Sequence, residues 1–521
     1  MSNDLTSPSG EAPMAPSGRG RRKLWVAAGV VGLTGVVGLA AVGGIAARNN
    51  QKSADKERAS NAQASAPKQN VSDAGKAEDT EKSDAGDRSG RNDAGGGKGK
   101  GADRVREVPC DTDKLIAAIT LANRTNGATL KLADRCTYRL TRHDEWGNGL
   151  PRINQPITLK GDKTLIERDA TAKPFRILNV GPGGELTLKG LTVKGGQLKE
   201  EKERPKPGKW GSERSGSNAA PAAAPAPDPA HGHTPTEGAG LLVHQGGRAV
   251  VEESTFVQNH TSGDGGAIAN FGSTRVRDSL IERNSAGGFG GGIFNAGVLN
   301  VEESKVSQNS SGLGGGGIAN GTSGRYATEG GTVYIWKSKI RQNRTAGDGG
   351  GLFDEGGTTS ASHSEITDNV AASDVGGVVA NRGGQLTLKN VVVARNATEG
   401  RAGGIGVGTD ARAVVEHSLI KENVSGSDGG GLYNFGFTVL RDTEVLANQA
   451  VGGNARAGGI FNDGGKVSLI RTKVAVNFAT QKPGGVFTTN DDVTVDSRSS
   501  ITDNRPTNCL GSPVIPNRCF G

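Results

Sequence analysis

Residues 251–295 read VEESTFVQNHTSGDGGAIANFGSTRVRDSLIERNSAGGFGGGIFN, and the second half of this stretch repeats the pattern of the first. Each half has a closing asparagine, Asn259 or Asn284, with an apolar residue three positions before it. A glycine-rich turn follows, GGAIAN at 265–270 and GGGIFN at 290–295. Within each unit the apolar residues alternate with a period of two, which is typical of short strands.

The same unit continues almost to the C-terminus, with gaps of 25 to 34 residues between closing asparagines. The ten closing asparagines are Asn259, Asn284, Asn309, Asn343, Asn369, Asn396, Asn423, Asn448, Asn477 and Asn504. A unit this short, without a helix, cannot bury its apolar face alone and must stack on its neighbours. Stacking places the asparagines in a buried ladder, where they satisfy the turn backbone and one another.

The repeat predicts an all-β fold, a right-handed parallel β-helix solenoid over residues 107–521. Strands of successive coils would pair about 4.8 Å apart, and right-handed crossovers are favoured by chain chirality. Residues 111–125 place Leu115, Ile116, Ile119 and Ala122 at helical spacing. This segment predicts a short amphipathic helix that caps the open N-terminal end of the stack.

Composition agrees with a structure of many tight turns. Glycine contributes 84 of the 521 residues and aromatic residues only 4 %, which excludes a large aromatic-rich helical core. The formal net charge of +8 is small for this length and lacks basic–aromatic interleaving, so no nucleic-acid partner is expected.

The N-terminal part predicts export. Residues 1–23 form a basic tail expected to stay in the cytoplasm, and residues 24–47 carry no charge and are long enough to cross a membrane as a helix. This segment is either a transmembrane anchor or a signal segment. Residues 48–106 have almost no large apolar side chain and predict a disordered linker. We therefore expect a cell-membrane protein with an extracellular domain, or a secreted protein.

Four cysteines lie at the two ends of the repeat region, Cys110 and Cys136 at one end and Cys509 and Cys519 at the other. Pairing within each end is the simplest of three connectivities, and it fits an oxidising compartment. The second pair marks residues 505–521 as a C-terminal cap. Residues 197–237 form the largest insertion, which either shelters a site or is a disordered excursion.

The repeats resemble a known family. The glycine-rich turns such as GGAIAN, together with the FVQN ending at 256–259, resemble the repeats of chlamydial polymorphic outer-membrane proteins, within the wider group of pectin-lyase-like β-helix proteins. The resemblance covers roughly 128–504. It implies a β-helix and an adhesin-like surface role, with a cell-wall or extracellular polysaccharide or a cell-surface protein as partner.

One line of candidate residues lies in the glycine-rich turns. Asp348, Asp374, Arg401 and Asp428 are expected on neighbouring coils. Carboxylates about 5 Å apart repel, and an arginine or a bound Ca²⁺ would relieve that repulsion. Polysaccharide lyases of this fold use such clusters, which makes these four residues the catalytic candidates. The alternative is ordinary turn chemistry, in which an aspartate precedes Gly-Gly.

A second line stands six residues before the closing asparagines, and the alternation of apolar residues predicts that it lies on a strand. It includes Glu253, Asp278, Glu303, His363 and His417. These residues predict either a glycan-binding groove, with Ca²⁺ at its acidic end, or a solvated face of mixed charge. Two functions stay open at this stage. They are a surface module that binds a glycan or a cell-surface partner, and a Ca²⁺-dependent polysaccharide lyase or glycoside hydrolase.

Overall fold

The computed structural model describes residues 105–199, 236–322 and 329–521. The predicted tail 1–23, the predicted membrane segment 24–47, nearly all of the predicted linker and most of the insertion 197–237 lie outside these residues. Within the described ranges, no helix has the length and apolar character needed to cross a membrane.

The described chain forms a parallel β-solenoid of about thirteen turns, built from three sheets. The large sheet contains Val105–Val108, Ala128–Leu132, Thr137–Leu140, Pro156–Arg168, Glu185–Lys194, Arg248–Glu252, Thr255–Val257, Ser273–Arg277, Leu280–Glu282, Val298–Glu302, Lys305–Ser307, Thr332–Trp336, Lys339–Arg341, Thr358–Ser362, Glu365–Thr367, Gln385–Lys389, Val392–Ala394, Arg412–Glu416, Leu419–Lys421, Phe437–Arg441, Glu444–Leu446, Lys466–Ile470, Lys473–Ala475, Val493–Val495 and Ser500–Thr502.

Two narrower sheets complete each coil. The second sheet contains the two-residue strands Gln197–Leu198, His260–Thr261, Ser285–Ala286, Ser310–Ser311, Arg344–Thr345, Val370–Ala371, Ala397–Thr398, Val424–Ser425, Gln449–Ala450 and Phe478–Ala479. The third sheet contains Leu178–Val180, Leu241–Val243, Ile268–Asn270, Ile293–Asn295, Ile318–Asn320, Leu352–Glu355, Val378–Asn381, Ile405–Val407, Leu432–Asn434, Ile460–Asn462 and Val486–Thr488.

The core consists of apolar ladders that run along the stack. Phe256 pairs with Ile281, Ile281 with Val306 and Val306 with Ile340, always in parallel register, and all four side chains are fully buried. Equivalent residues of successive units therefore lie one above the next, as the repeat predicts. The parallel β-solenoid is confirmed, whereas its right-handed sense stays a prediction.

Helix α1, Thr112–Arg124, covers the N-terminal end of the core. The Asp111 carboxylate caps it by accepting a hydrogen bond from the Lys114 backbone N–H at 3.0 Å. Leu115, Ile119 and Ala122 are buried, and Ile116 packs at the edge of the core. The first described strand, Val105–Val108, starts two residues inside the predicted linker, because it pairs in register with residues 129–132 and buries Val108.

Both ends of the solenoid carry a disulfide. Cys110 is bonded to Cys136 and Cys509 to Cys519, which are the pairings expected from the sequence. Each bond closes a short loop against the end of the stack, where no further coil covers the apolar interior.

The closing asparagines form a continuous hydrogen-bonded ladder. Asn369 is typical: its Nδ2 donates to the Ile340 carbonyl at 3.0 Å and to Asn396 Oδ1 at 2.9 Å. Its own Oδ1 accepts from the backbone N–H and the Nδ2 of Asn343, both at 3.0 Å. At the far end, Asn504 donates both its backbone N–H and its Nδ2 to Asn508 Oδ1, outside the repeats.

We expect Asn369→Ala to lower the free energy of unfolding by about 3 kcal/mol or more, because it leaves buried donors and acceptors without partners at about 1–3 kcal/mol each. Urea denaturation measures this change. The control is Thr387→Ala on the exposed face of the large sheet, expected within about 0.5 kcal/mol of the parent. Similar losses in both variants would contradict the role given to the ladder.

Candidate functional site

A pocket of about 180 Å³ opens on the outer face of the third sheet, beside the glycine-rich turns. It is bounded by two carboxylates, a guanidinium, an amide, two aromatic rings and small or apolar residues. Its lining consists of Asp348, Asp374, Val375, Val379, Asn381, Arg401, Ala402, Gly406, Val407, Gly408, Tyr433 and Phe435.

The pocket exists because one outward position of the third sheet is a glycine. Aligned positions of successive coils form an outward column on this sheet, and in most coils its side chains pack against one another. Examples are Phe353, Val379, Tyr433 and Phe461. The equivalent position between Val379 and Tyr433 is Gly406. A Cβ there would lie 2.4 Å from Cγ2 of Val375, so a side chain would clash with the pocket wall.

The wall on the turn side carries an unusual backbone. Val375 and Ala402 have φ of 60° and 62°. At the equivalent position of the preceding coil, the same left-handed conformation is adopted by a glycine, Gly349. For a β-branched residue this conformation is strained, and such residues cluster at functional sites. The same conformation also occurs outside the pocket, in Ala457 of a later coil and in Val476, so this backbone shapes the pocket wall but does not by itself mark a site.

Three of the four catalytic candidates meet in this pocket. Asp348 Oδ1 accepts from the backbone N–H of Asp374 at 2.9 Å. Asp374 Oδ1 accepts from the backbone N–H of Arg401 at 2.7 Å, and its Oδ2 accepts from the Arg401 guanidinium at 2.8 Å. The turn position therefore aligns these residues on three successive coils.

Asp428 does not line the pocket. It accepts from the backbone N–H of Arg456 at 2.7 Å and forms an ion pair with its guanidinium at 3.1 Å. Asp264, far from the pocket, likewise accepts from the backbone N–H of Phe289 at 2.7 Å. At each of these positions the aspartate of the turn links one coil to the next. This is a structural role, like the turn chemistry that the sequence offers as the alternative to catalysis.

The ionisable groups of the pocket are shifted in ways that suit proton transfer. Burial raises the pKa of Asp348, although hydrogen bonds from Ser373 and the Asp374 backbone oppose the shift. The hydrogen bond to Asp374 raises the pKa of Arg401, which stays charged. A carboxyl of raised pKa beside a fixed cation is a common arrangement in acid–base sites.

Tyr433 is a site residue that sequence reasoning missed. Its hydroxyl donates to Asp463 Oδ2 at 2.8 Å, and burial raises its pKa, so the phenol keeps its proton. The Arg401 guanidinium lies 5.2 Å from the centre of the Tyr433 ring. The Tyr433 ring also stacks on the ring of Phe461 in the next coil, with centroids 4.8 Å apart. The signal in the sequence is GGGLYN at 429–434, where other units have alanine, phenylalanine, valine or glycine.

Asn381 lies in the pocket because it is out of register with the asparagines that end the glycine-rich turns of other coils. Asn270, Asn295 and Asn320 form a second buried ladder, and the next residue in that column is Asp354, followed by Ala380. Asn381 instead pairs with Glu355, one position further along. The half-buried Asn381 is therefore available at the pocket, where the ladder is interrupted.

Asp354 ends the first part of this second ladder as a pure acceptor. Its Oδ2 accepts from Asn320 Nδ2 at 3.0 Å and from the Thr359 hydroxyl, and its Oδ1 accepts from the Gly357 N–H at 2.8 Å. Ala380 on the following coil offers no acceptor, so an amide here would lack the partner that the ladder elsewhere provides. Burial nevertheless raises the pKa of Asp354.

The second predicted line lies at a corner and not on a strand. Glu253 is between the strands Arg248–Glu252 and Thr255–Val257, and its φ is 48°. The equivalent residues Asp278, Glu303, His363 and His417 have the same left-handed backbone, with φ from 46° to 50°. The strand assignment was wrong because period-two alternation continues through this bend in the sequence.

Three members of this corner line share a shallow groove of about 440 Å³, but each has a cationic neighbour. Lys189 lies 3.4 Å from Glu253, Arg277 3.1 Å from Asp278 and Lys337 3.6 Å from Glu303. The two histidines lie further along the stack. His363 contacts Asn390 at 3.3 Å, and His417 lies 3.7 Å from Asp442. This arrangement is a mixed-charge surface.

In the described part of the chain, no group of three or more histidine, cysteine, aspartate or glutamate residues is placed to hold a metal ion. Ca²⁺ takes six to eight oxygen ligands. In the pocket the two carboxylates already accept hydrogen bonds, and Asp374 is paired with Arg401. The residues present therefore do not form a Ca²⁺ site, and Ca²⁺ dependence stays a prediction.

No protein-family model and no curated protein matches this chain. Four solved chains match its fold. The A-module of the mannuronan C-5 epimerase AlgE6 of Azotobacter vinelandii is 14 % identical, with a TM-score of 0.42 over 76 % of this chain and 98 % of that module. The periplasmic alginate epimerase AlgG is 11 % identical, with a TM-score of 0.30 over 78 % of this chain and 86 % of that protein. Similarity at this level assigns no activity.

Replacement of Asp354 by asparagine should change how stability depends on pH. A raised pKa means that the folded protein binds this proton more tightly than the unfolded chain, so stability is lost as pH rises from the ordinary aspartate pKa through the raised value. Asp354→Asn lacks this loss. Its free energy of unfolding, relative to the parent, should therefore increase between about pH 4 and pH 7.

Urea denaturation at several pH values tests this expectation. Asp442→Asn is the control of opposite sign, because the hydrogen bond from Arg471 lowers the pKa of Asp442. Its stability relative to the parent should decrease as pH rises. A pH-independent difference for Asp354→Asn would contradict the assignment of a raised pKa.

Proposed function

We propose that this chain is an extracytoplasmic enzyme that acts on a uronate-containing polysaccharide by acid–base chemistry in the pocket around Gly406. The observation that carries the proposal is the convergence of Asp348, Arg401 and Tyr433 on one small cavity beside strained backbone. Proton abstraction next to a sugar carboxylate needs a base, a cation for the carboxylate and a proton donor. The pocket contains one of each.

Asp348 is the base in this proposal. Its raised pKa makes the ionised carboxylate a stronger base than a surface aspartate, at the cost of requiring a higher pH to ionise. Tyr433 is the proton donor, because the raised pKa of its phenol keeps it protonated.

Arg401 would neutralise the sugar carboxylate. The guanidinium has five N–H donors, and only one of its nitrogens is hydrogen-bonded to the Asp374 side chain. Asn381, which also lines the pocket, can add an amide N–H. When Asp348 takes the proton from C5, the electron pair passes into the carboxylate. In the lyase reaction the electron pair then expels the C4 oxygen, which takes the Tyr433 proton and leaves as a hydroxyl. In the epimerase reaction C5 instead takes the Tyr433 proton on the other face, which inverts C5. In both cases exchange with water removes the proton from Asp348 and restores the one on Tyr433.

A second function, polysaccharide binding without catalysis, is favoured by one specific observation. The Asp374–Arg401 and Asp428–Arg456 pairs join neighbouring coils, and Asp264 makes the same backbone bond outside the pocket. These aspartates could therefore be structural throughout. The adhesin-like role implied by the chlamydial resemblance belongs to this second function. Glycoside hydrolysis by carboxylates of adjacent coils is a third reaction, which product analysis would distinguish.

The location of the protein is part of the proposal. Two disulfides are typical of proteins that fold outside the cytoplasm. Together with the uncharged segment 24–47, they favour export, with this segment as anchor or signal and residues 48–104 as a tether. A right-handed solenoid also belongs to the proposal.

Asp348→Asn and Tyr433→Phe should each lower the turnover of polygalacturonate or alginate at least about 100-fold, the range expected for loss of an acid–base group. Asparagine at 348 can still accept the Asp374 backbone hydrogen bond, so the fold is preserved. The matched control is Asp264→Asn, which makes the same change to the same coil-to-coil contact outside the pocket. Equal activity in Asp348→Asn and the control would refute catalysis by Asp348.

The pH profile provides an independent measurement. If Asp348 must be ionised to act as a base, kcat/KM should fall as pH drops through its raised pKa, at a higher pH than for an ordinary aspartate. Product analysis over a glycan panel, with and without added Ca²⁺, separates the candidate reactions. Retention on immobilised glycan without any product, at every pH and Ca²⁺ concentration, would favour the binding function.

A further inference from the structure

The large sheet carries two exposed aromatic rings side by side, on a face distinct from the pocket. Tyr334 and Trp336 alternate with the buried Val333 and Ile335 on the strand Thr332–Trp336. Their residues are 50 % and 39 % exposed. Being two residues apart, the rings stand about 6.6 Å from each other along the strand. We call this pair the aromatic platform.

The residues beside the platform are polar, and most of their side chains are short. The next coil places Ser360 beside Tyr334 and Ser362 beside Trp336, and Asn300 flanks Tyr334 on the preceding coil. Small hydroxyl side chains leave the ring faces on that side uncovered. The Lys337 ammonium lies over one face of the Trp336 ring, 4.2 Å from the ring centre. It therefore adds an N–H donor at the platform and leaves the other face of this ring for stacking.

The size of the platform decides between classes of partner. Aromatic side chains offer about 150–250 Å² each, so the exposed fractions amount to roughly 200 Å². A stable protein–protein interface needs about 800 Å² from each partner, and the adjoining residues are hydroxyls and charges. A sugar ring, in contrast, presents an apolar C–H face of similar size to one aromatic ring and hydroxyl groups around its edge.

We propose that the aromatic platform is a second polysaccharide-binding surface, at which sugar rings stack on Tyr334 and Trp336 while their hydroxyls bond to Ser360, Ser362 and Lys337. Stacking on an aromatic face tolerates different sugars, because it uses the ring face and not a fixed set of hydrogen bonds. The surface does not depend on the activity proposed for the pocket. It would hold the polymer on the protein whether or not the pocket acts on it.

The test is a double variant, Tyr334→Ser with Trp336→Ser, which gives this strand the serines that the next coil already carries at the same positions. Electrophoresis through gels containing alginate, polygalacturonate or a neutral β-glucan measures binding. We expect at least a tenfold increase in the dissociation constant for the polymer that retains the parent. Phe437→Ser, which removes an aromatic residue four coils away on the same sheet face, should leave binding unchanged.

Two further measurements keep this result interpretable. Asp348→Asn should be retained like the parent, so that loss of pocket chemistry and loss of platform binding are separate outcomes. Sedimentation of parent and double variant reports self-association. The proposal is overturned if none of the polymers retains the parent, if the double variant binds as the parent does, or if the double variant loses a parent dimer instead of glycan binding.

Discussion

The hydrogen bond from each closing asparagine to the asparagine of the next coil is the constraint on which the structure depends. The amide accepts from one coil and donates to the other, and no water reaches it to replace either partner. A slip of one residue would bury an amide without partners and turn the apolar ladder outward, so register is fixed. Because register is fixed, the outward neighbours of every residue are fixed as well. Both proposed surfaces are consequences of that alignment.

The pocket arises where the repeat is broken. Gly406 removes a side chain from the outer column of the third sheet, and Val375 and Ala402 take a backbone conformation that nearby coils give to glycine. In the same coils the second ladder stops at Asp354. A regular solenoid has no reason to depart from its own pattern at several positions at once. These departures lie on one side of adjacent coils, which is why we assign function there.

The sequence predicted the features that repeat and missed those that do not. Spacing alone indicated the stacked strands and the asparagine ladder, since each follows from one position seen many times. The pairing of the cysteines followed from their location at the two ends of the repeats. Spacing also aligned Asp348, Asp374 and Arg401. It did not indicate Tyr433, because one aromatic residue in a position that also holds phenylalanine resembles core. It did not indicate Asn381 either, because one extra residue shifts the register of this asparagine without changing the local pattern of the turn. The corner line was placed on a strand, because a single left-handed residue leaves the alternation of apolar residues intact.

The asparagine ladder also has a polarity. Each asparagine donates its backbone N–H and one Nδ2 hydrogen to the coil that follows, while Nδ2 also donates to a carbonyl of the coil before. For the last one, Asn504, the acceptor on the C-terminal side is Asn508. On the other side of the ladder, the oxygen of the first one, Asn259, accepts from the backbone N–H of Gly196, and its Nδ2 donates to the Val193 carbonyl. The two ends of the molecule are therefore not equivalent toward truncation. Cutting away the residues after Asn504 orphans two of its N–H donors, whereas removing the coils before Asn259 orphans one N–H donor and one oxygen. Proteins tolerate an unsatisfied oxygen more readily than an unsatisfied N–H. During synthesis, the asparagine of each coil lacks its acceptor until the next coil has been made. The segment after residue 504 provides the last of these acceptors.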